Sequence, residues 1–390
     1  MPTRATARGA QRTPLSRDCD VLICGASFAG LTLARELEAA GADVLLVDRY
    51  DVGERPTSAC AAPTVWLERL RLGAAIQQTF PDLVVHTPGR RVRWPLPFTF
   101  STFDYRTLCG LLREGSPSAA FETATVEGVA RAGDTHTVRT DRGELRARLV
   151  VDALGWRRVL SAAMVQPPAA RLSRGLEVHP HGGGDELELW IDPRLVRAGY
   201  SWSFPAAGEV RVGCGSFEPR DRVKEPTVAL ARELGLDAVR FQGNWIPHQL
   251  RAATEDGVFF AGDSAGHCLP LTAEGIRPAF YFALALGREL REVLSGRATR
   301  AQALTRYGAF SAAHGVKYAS LLWAQHLVGR VTGSAPLGAA VRLVGRRRVA
   351  HWTFGHYLQL TPLPARVAER HTVMAHSGAV LGRSAPQAAG

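Results

Sequence analysis

Apolar and polar positions along the chain change period several times, and each change marks an element. Val21-Leu22-Ile23-Cys24 is an unbroken apolar run of β-forming residues, the pattern of a strand buried on both faces. A turn from Gly25 to Gly30 follows, then helical spacing from Leu31 to Ala40, then a second apolar run, Val44-Leu45-Leu46-Val47, ending at Asp48. That order predicts one βαβ unit with parallel strands. Val65 to Leu72 has helical spacing, Arg91 to Phe100 reads as strands broken by Pro95 and Pro97, and Phe103 to Leu112 reads as the next helix start. Ala124 to Val129, Thr135 to Thr140 and Leu145 to Val151 are predicted to be short antiparallel strands.

Between Arg174 and Pro247 the period shortens to strict alternation in Leu187 to Ile191, Gly199 to Pro205 and Glu209 to Gly215. This predicts an antiparallel sheet inserted into the parallel one. Alternation puts Tyr200, Trp202 and Phe204 on one face and Ser201 and Ser203 on the other, as a core-facing ladder or as an apolar wall for a long substrate. A last apolar run, Gly257 to Ala261, ends in Gly262-Asp263 and a glycine-rich loop that feeds a helix from about Arg277 to Val293. The expected fold is α/β, α+β overall: a Rossmann-type dinucleotide domain from residues 18–85, 104–165 and 245–295. An antiparallel-sheet domain from 86–103 and 166–244 and a helical region at 296–390 complete it. Residues 1–17, rich in Arg, Thr, Ala and Pro, are expected to form a disordered leader.

The first loop has the chemistry of a dinucleotide site. Gly25 permits the sharp turn, Gly30 lets the helix pack on the strand, and amides of the first helical turn face a pyrophosphate. Asp48, 23 positions after Gly25, is placed to accept from ribose hydroxyls and would repel a 2′-phosphate, so FAD or NAD is favoured over NADP. Ser27 stands where the fingerprint has its middle glycine. In the later loop Asp263 is suited to a flavin ribityl chain, and the helix start at Gly275-Ile276 offers amides to the flavin's pyrimidine end.

The 390 residues are 46% hydrophobic, enough for a large core. Cys19, Cys24, Cys60, Cys109, Cys214 and Cys268 contain no C-x-x-C pair, so no metal site or disulfide framework is indicated and a cytoplasmic setting fits. No run of about 18 apolar residues occurs. The net charge of +11 gathers late, at Arg342 and Arg346 to Arg348, close to Trp352, Phe354 and Tyr357. Without a nucleic-acid-binding motif, that pairing suggests peripheral membrane contact rather than nucleic acid.

These residues carry a family resemblance. GDSAGHCLPLTAEGI (262–276) is similar to the GDAAGHxxPLTGEGI of geranylgeranyl reductases, FAD-dependent oxidoreductases of the PHBH-like, glutathione-reductase-type group. Tyr200-Ser201-Trp202-Ser203-Phe204-Pro205 matches that family's YxWxFP, and Cys60 falls where the family often has Cys-Gly. Ser27, Ala61, Ala62 and Ala273 depart from its pattern by adding side chains where it has glycines.

The resemblance implies a reduced flavin that delivers hydride to a double bond of a polyprenyl, isoprenoid-type chain. Gly25, Ser27, Phe28, Ala29, Gly30, Asp48, Arg49, Arg106, Val126, Gly262, Asp263, Gly266, Gly275 and Ile276 are expected around FAD. Tyr200, Trp202, Phe204 and Pro205 are expected around the substrate. An isolated alkene also needs a proton donor. Cys60, Tyr200, His267 and Glu274 are the candidates. With no second glycine fingerprint, electrons are expected from an external donor, NAD(P)H or a reductase or ferredoxin. A monooxygenase or halogenase on the same fold, and a flavin- and isoprenoid-binding protein without turnover, are the alternatives.

Overall fold

The computed structural model describes residues 13–56, 59–162, 172–330 and 334–363. The expected βαβ unit is β1 (Arg17–Cys24), α1 (Phe28–Leu37) and β2 (Val44–Asp48), with Val21 to Cys24 paired in parallel to Val44 to Val47. A short β3 (Ala61–Pro63) and α2 (Thr64–Arg69) lead into a long hairpin of β4 (Ile76–Thr87) and β5 (Arg90–Phe103), followed by α3 (Tyr105–Glu114) and β6 (Ala120–Thr123). A meander of β7 (Val126–Ala132), β8 (Thr135–Thr140) and β9 (Gly143–Asp152) returns to the centre, where β9 runs parallel to β1 on the side away from β2.

Next come β10 (Leu172–Val178), β11 (Leu187–Trp190), β12 (Gly199–Ala206), β13 (Glu209–Ser216), α4 (Lys224–Glu233) and β14 (Gln242–Pro247). The chain then rejoins the first sheet through β15 (Thr254–Glu255) and β16 (Val258–Phe260) and enters α5 (Ile276–Leu294). It closes with α6 (Arg300–Ala312), α7 (Gly315–Val328), α8 (Ser334–Val344) and α9 (Arg347–Leu358).

Two sheets result. The first has the order β15-β16-β9-β1-β2-β6, with β7 and β8 attached at β9; the second is β14-β10-β13-β12-β11-β4-β5-β3. The main core lies against the first sheet, where Val21 to Cys24 and Leu45 to Val47 are fully buried beneath α1 and α5. Each face of the second sheet has its own cover. Leu230 and Ala231 of α4 pack on Val178, Val210 and Val212. Leu337 and Val341 of α8 and Phe354 of α9 pack on Phe80, Leu83, Val85 and Leu187.

Three sequence expectations change. Pro95 and Pro97 do not break the strand: β5 is continuous, and residues 96–99 fall in the gap between the Pro95 and Phe100 pairings, where the register with β4 shifts and no ladder amide is required of a proline. Residues 76–85, assigned to the cofactor segments, form most of β4 and pair in the second sheet. The leader expected over 1–17 lies mostly outside the described residues, but Leu15 is buried, its amide bonds Arg142 O at 2.8 Å, and β1 already begins at Arg17.

Candidate functional site

Strands β1, β2, β9 and β16 end on the same side of the first sheet, and the two glycine loops leave from those ends. Gly25 has φ +112°, and a Cβ there would stand 2.2 Å from Ala153 O, so no larger residue fits the turn. Asp48 braces the same turn: Oδ2 accepts from Ala26 N at 2.8 Å and Oδ1 from Tyr50 N at 3.1 Å. Burial raises its pKa while these amide bonds pull it back. Ser27, the residue in place of the middle glycine, accepts from Tyr105 Oη at 2.9 Å, which draws its hydroxyl toward α3. Phe28 packs edge-on against Phe103, Tyr105 and Phe280, and Ala29 is buried beside it. Val126 is buried near the Asp48 tip, since Ala124 N bonds Asp48 O at 2.8 Å. Arg49 and Arg106 are exposed, Arg49 stacking on Tyr50.

The second loop is anchored from below. Ser264 Oγ donates to Asp152 Oδ1 at 2.7 Å, and Arg158 Nη1 reaches Ser264 O at 2.9 Å. Asp152, Arg158 and Ser264 were not singled out from sequence, although Asp152 ends an apolar run as Asp48 does. Asp263 is half-buried, no donor among the described residues reaches its carboxylate, and burial lifts its pKa to about 6. A carboxylate left this way is an acceptor site for ribityl hydroxyls. Leu271 and Ala273 both have positive φ, +67° and +50°, so Ala273 holds the left-handed turn that the resembled motif gives to glycine. Gly262 and Gly266 bracket a short 3-10 turn, and Gly275 precedes Ile276 at the start of α5. The glycine turn, the helix starts and the Asp263 carboxylate fit an FAD molecule extended between the two loops.

The four proton-donor candidates separate. His267 is fully buried with its ring stacked on Phe282 at 3.6 Å and Nε2 at 3.0 Å from Ser311 Oγ, inside the helical layer; burial lowers its pKa, so it is neutral there. Glu274 forms an ion pair with Arg277 at 2.8 Å and accepts from Tyr357 Oη; Arg277 also bonds Thr361 O and Leu358 O. That network ties α9 to the start of α5. Tyr200 Oη donates to Thr272 O at 2.6 Å. Cys60 is buried with φ +54°, burial raises its pKa, and its carbonyl accepts from Arg211 Nη1 and Phe103 N.

Tyr200, Trp202 and Phe204 share one face of β12 and are half-buried, whereas Ser201 and Ser203 are buried under the α4 side. Pro205 falls on the serine face, against Gly184, and so is not with the rings. The Trp202 indole lies over Gly213 and Gly215, with Nε1 donating to Glu177 Oε2 at 3.1 Å. Glu177, 3% exposed, also holds His179 at 2.9 Å and Gln242 at 3.0 Å. No motif pointed to Glu177, because a single acid in an alternating strand reads as a solvent-facing position.

Residues 20–181 match the family model described as Lycopene cyclase protein. A geranylgeranyl diphosphate reductase of Rhodobacter capsulatus is 26% identical over 298 residues, 70% of this chain and 74% of that protein. A digeranylgeranylglycerophospholipid reductase of Methanosphaera stadtmanae is 22% identical over 76% of this chain and 83% of its own. Among solved structures, a geranylgeranyl bacteriochlorophyll reductase-like protein of Thermoplasma acidophilum superposes with TM-score 0.75 at 15% identity, covering 91% of this chain and 96% of that one. A p-nitrophenol 4-monooxygenase of Pseudomonas putida gives 0.69 at 17% identity, covering 89% and 99%. The resemblance drawn from the two loops and the YxWxFP stretch is borne out, as are the flavoprotein fold, FAD as cofactor and an oxidoreductase.

Proposed function

Taking an FAD-dependent oxidoreductase similar to the geranylgeranyl reductases as the premise, we propose that this enzyme saturates carbon–carbon double bonds of a polyprenyl chain. The observation that carries the reading is the 2.6 Å bond from Tyr200 Oη to Thr272 O, which ties the aromatic wall to the loop suited to the flavin's pyrimidine end. An apolar chain lying along Tyr200, Trp202 and Phe204 is thereby held beside the cofactor loop. When bound and reduced, FAD supplies the hydride taken up by one alkene carbon.

The other carbon takes a proton. Of the four candidates, Tyr200, His267 and Glu274 are engaged in positioning the loop and its helices. Cys60 keeps its thiol proton, and its charge would couple to that of Tyr105, which bonds Ser27 in the dinucleotide turn. We assign proton donation to Cys60, with Trp202 and Phe204 excluding water from the reacting bond. An external donor, NAD(P)H or a reductase or ferredoxin, returns two electrons to the flavin. A polyprenyl substrate is held in a membrane, so the enzyme would meet it at a membrane surface.

The test is anaerobic. Protein reduced with dithionite, freed of excess reductant and given geranylgeranyl-type lipids should reoxidise its flavin and yield product two hydrogens heavier per bond. A flavin that stays reduced until air is admitted, with oxygenated product, would overturn the reading in favour of a monooxygenase. Cys60→Ser should lower the rate of the step and leave FAD content unchanged; an unchanged rate removes Cys60 from the chemistry.

A further inference from the structure

Helix α7 has two faces with different chemistry. On the inner face Tyr318, 2% exposed, donates from Oη to His267 O at 2.5 Å. Gln325, 1% exposed, accepts from Leu271 N at 2.8 Å and bonds His248 Nδ1 at 2.8 Å. One helix therefore grips the cofactor loop at two points, His267 and Leu271, the second of them left-handed and two residues before the left-handed Ala273.

On the outer face Val316 is 80% exposed, Trp323 68% and Leu327 48%. Their positions form a single helical stripe, with exposed Ala319 between them. Large apolar groups left in water along one stripe are the mark of a surface used for contact.

The charge around the stripe says what kind of contact. From Arg300 to Leu363 the sequence contains no Asp or Glu; Arg300 and Arg306 pair with Asp134 and Glu289 from elsewhere in the chain, whereas Lys317, Arg330, Arg342, Arg346, Arg347 and Arg348 have no acidic partner among the described residues. Lys317 and Arg330 flank the stripe, and Lys317 Nζ bonds Gln359 O at 3.3 Å, which places the start of α7 beside the end of α9. The arginines Arg346 to Arg348 are exposed between Leu343, 52% exposed, and Trp352, 65% exposed. A nucleic acid would use the arginines but not Val316 or Leu327. An anionic bilayer uses both, taking the apolar stripe below its headgroups and the cations at its surface.

We propose that α7 is a docking helix for an anionic lipid bilayer, and that through Tyr318 and Gln325 it couples bilayer contact to the order of the cofactor loop, residues 267–275. This rests on and deepens the polyprenyl reading, since a bilayer is where such a substrate is held, but it is tested without turnover.

The full chain is sedimented with vesicles of phosphatidylglycerol and phosphatidylcholine, and with phosphatidylcholine alone. Binding is expected only to the anionic vesicles. The exposed-residue variant Trp323→Ser/Leu327→Ser, with melting unchanged, should need at least about tenfold more lipid for half-binding. Arg346→Gln/Arg347→Gln/Arg348→Gln should also weaken binding and flatten its salt dependence. Wild-type protein that stays in the supernatant, or a Trp323→Ser/Leu327→Ser variant that binds equally, overturns the proposal. So does a dimer in light scattering that this variant abolishes while vesicles go unbound, because the stripe then belongs to a second copy. Binding to a DNA duplex in place of vesicles overturns it as well. For the coupling, hydrogen exchange in 267–275 should slow on vesicle addition, and Gln325→Ala should keep vesicle binding yet lose that slowing. Exchange that is the same with and without vesicles ends the coupling.

Discussion

Replacing Gly213 by Ala tests whether Trp202 is fixed flat in the aromatic face of β12. A Cβ at this position would stand 2.2 Å from Trp202 Cζ2, 2.4 Å from Cε2 and 2.8 Å from Glu177 Cβ. None of these is the end of a flexible chain, so the indole has to lift off the sheet. Overpacking of this kind costs about 1–3 kcal/mol. Lifting the ring also breaks the bond from Nε1 to Glu177, a carboxylate acceptor, which adds about 1.5–3 kcal/mol. Because Glu177 keeps His179 and Gln242, the expected destabilisation is toward the lower part of the combined range, about 3 kcal/mol. Urea unfolding of the single variants and of Gly213→Ala/Trp202→Leu gives the coupling directly. The double variant should recover about 1–3 kcal/mol relative to additivity, since the clash has no partner once the indole is gone. FAD content should be unchanged in all three, because Gly213 is outside both cofactor loops, while the preferred substrate chain length should shift. A Gly213→Ala protein that unfolds like wild type, or a double variant that is strictly additive, would refute an indole held flat on β13.

Three further outcomes follow from the site. Asp263 has its pKa raised from 3.8 to about 6 by burial, so its stabilising contribution is full below pH 3.8 and is lost as pH rises through about 6. The FAD-free Asp263→Asn variant should therefore be more stable at pH 7 by about 1–3 kcal/mol, allowing for the solvent its half-buried carboxylate still meets, yet bind FAD more weakly; weaker binding without the gain in stability would contradict the burial cause. Asp48→Ala should weaken FAD binding by about 1.5–3 kcal/mol, roughly tenfold or more in Kd by flavin fluorescence titration, because the turn loses its brace at Ala26 and Tyr50. Glu274→Gln should cost about 3–5 kcal/mol in unfolding, because Arg277, fully buried, loses its charge partner. A variant of wild-type stability that has lost turnover would instead make Glu274 a catalytic residue.

The sequence by itself determined the elements whose chemistry is local. A glycine turn between an apolar strand and a helix can be read from neighbours in the chain, so Gly25, Gly30, Asp48 and the Gly262 loop were legible, and so was the alternation that gathers Tyr200, Trp202 and Phe204 on one face. Hydrophobic period also marked both returns to the first sheet. What it left undecided depends on contacts between residues far apart in the chain. His267 and Glu274 stand in a cofactor-loop motif, but only packing against α6 and α9 commits them to Ser311 and to Tyr357. The prolines of β5 looked like breaks because their tolerance depends on where β4 shifts register, a property of the partner strand. Pro205 shares a motif with the rings and yet faces away from them, because adjacent residues in a strand point to opposite sides. Glu177 and Gln325 carried no local signal at all: each acquires its role from side chains and backbone that the fold brings to it, Trp202 in one case and Leu271 in the other.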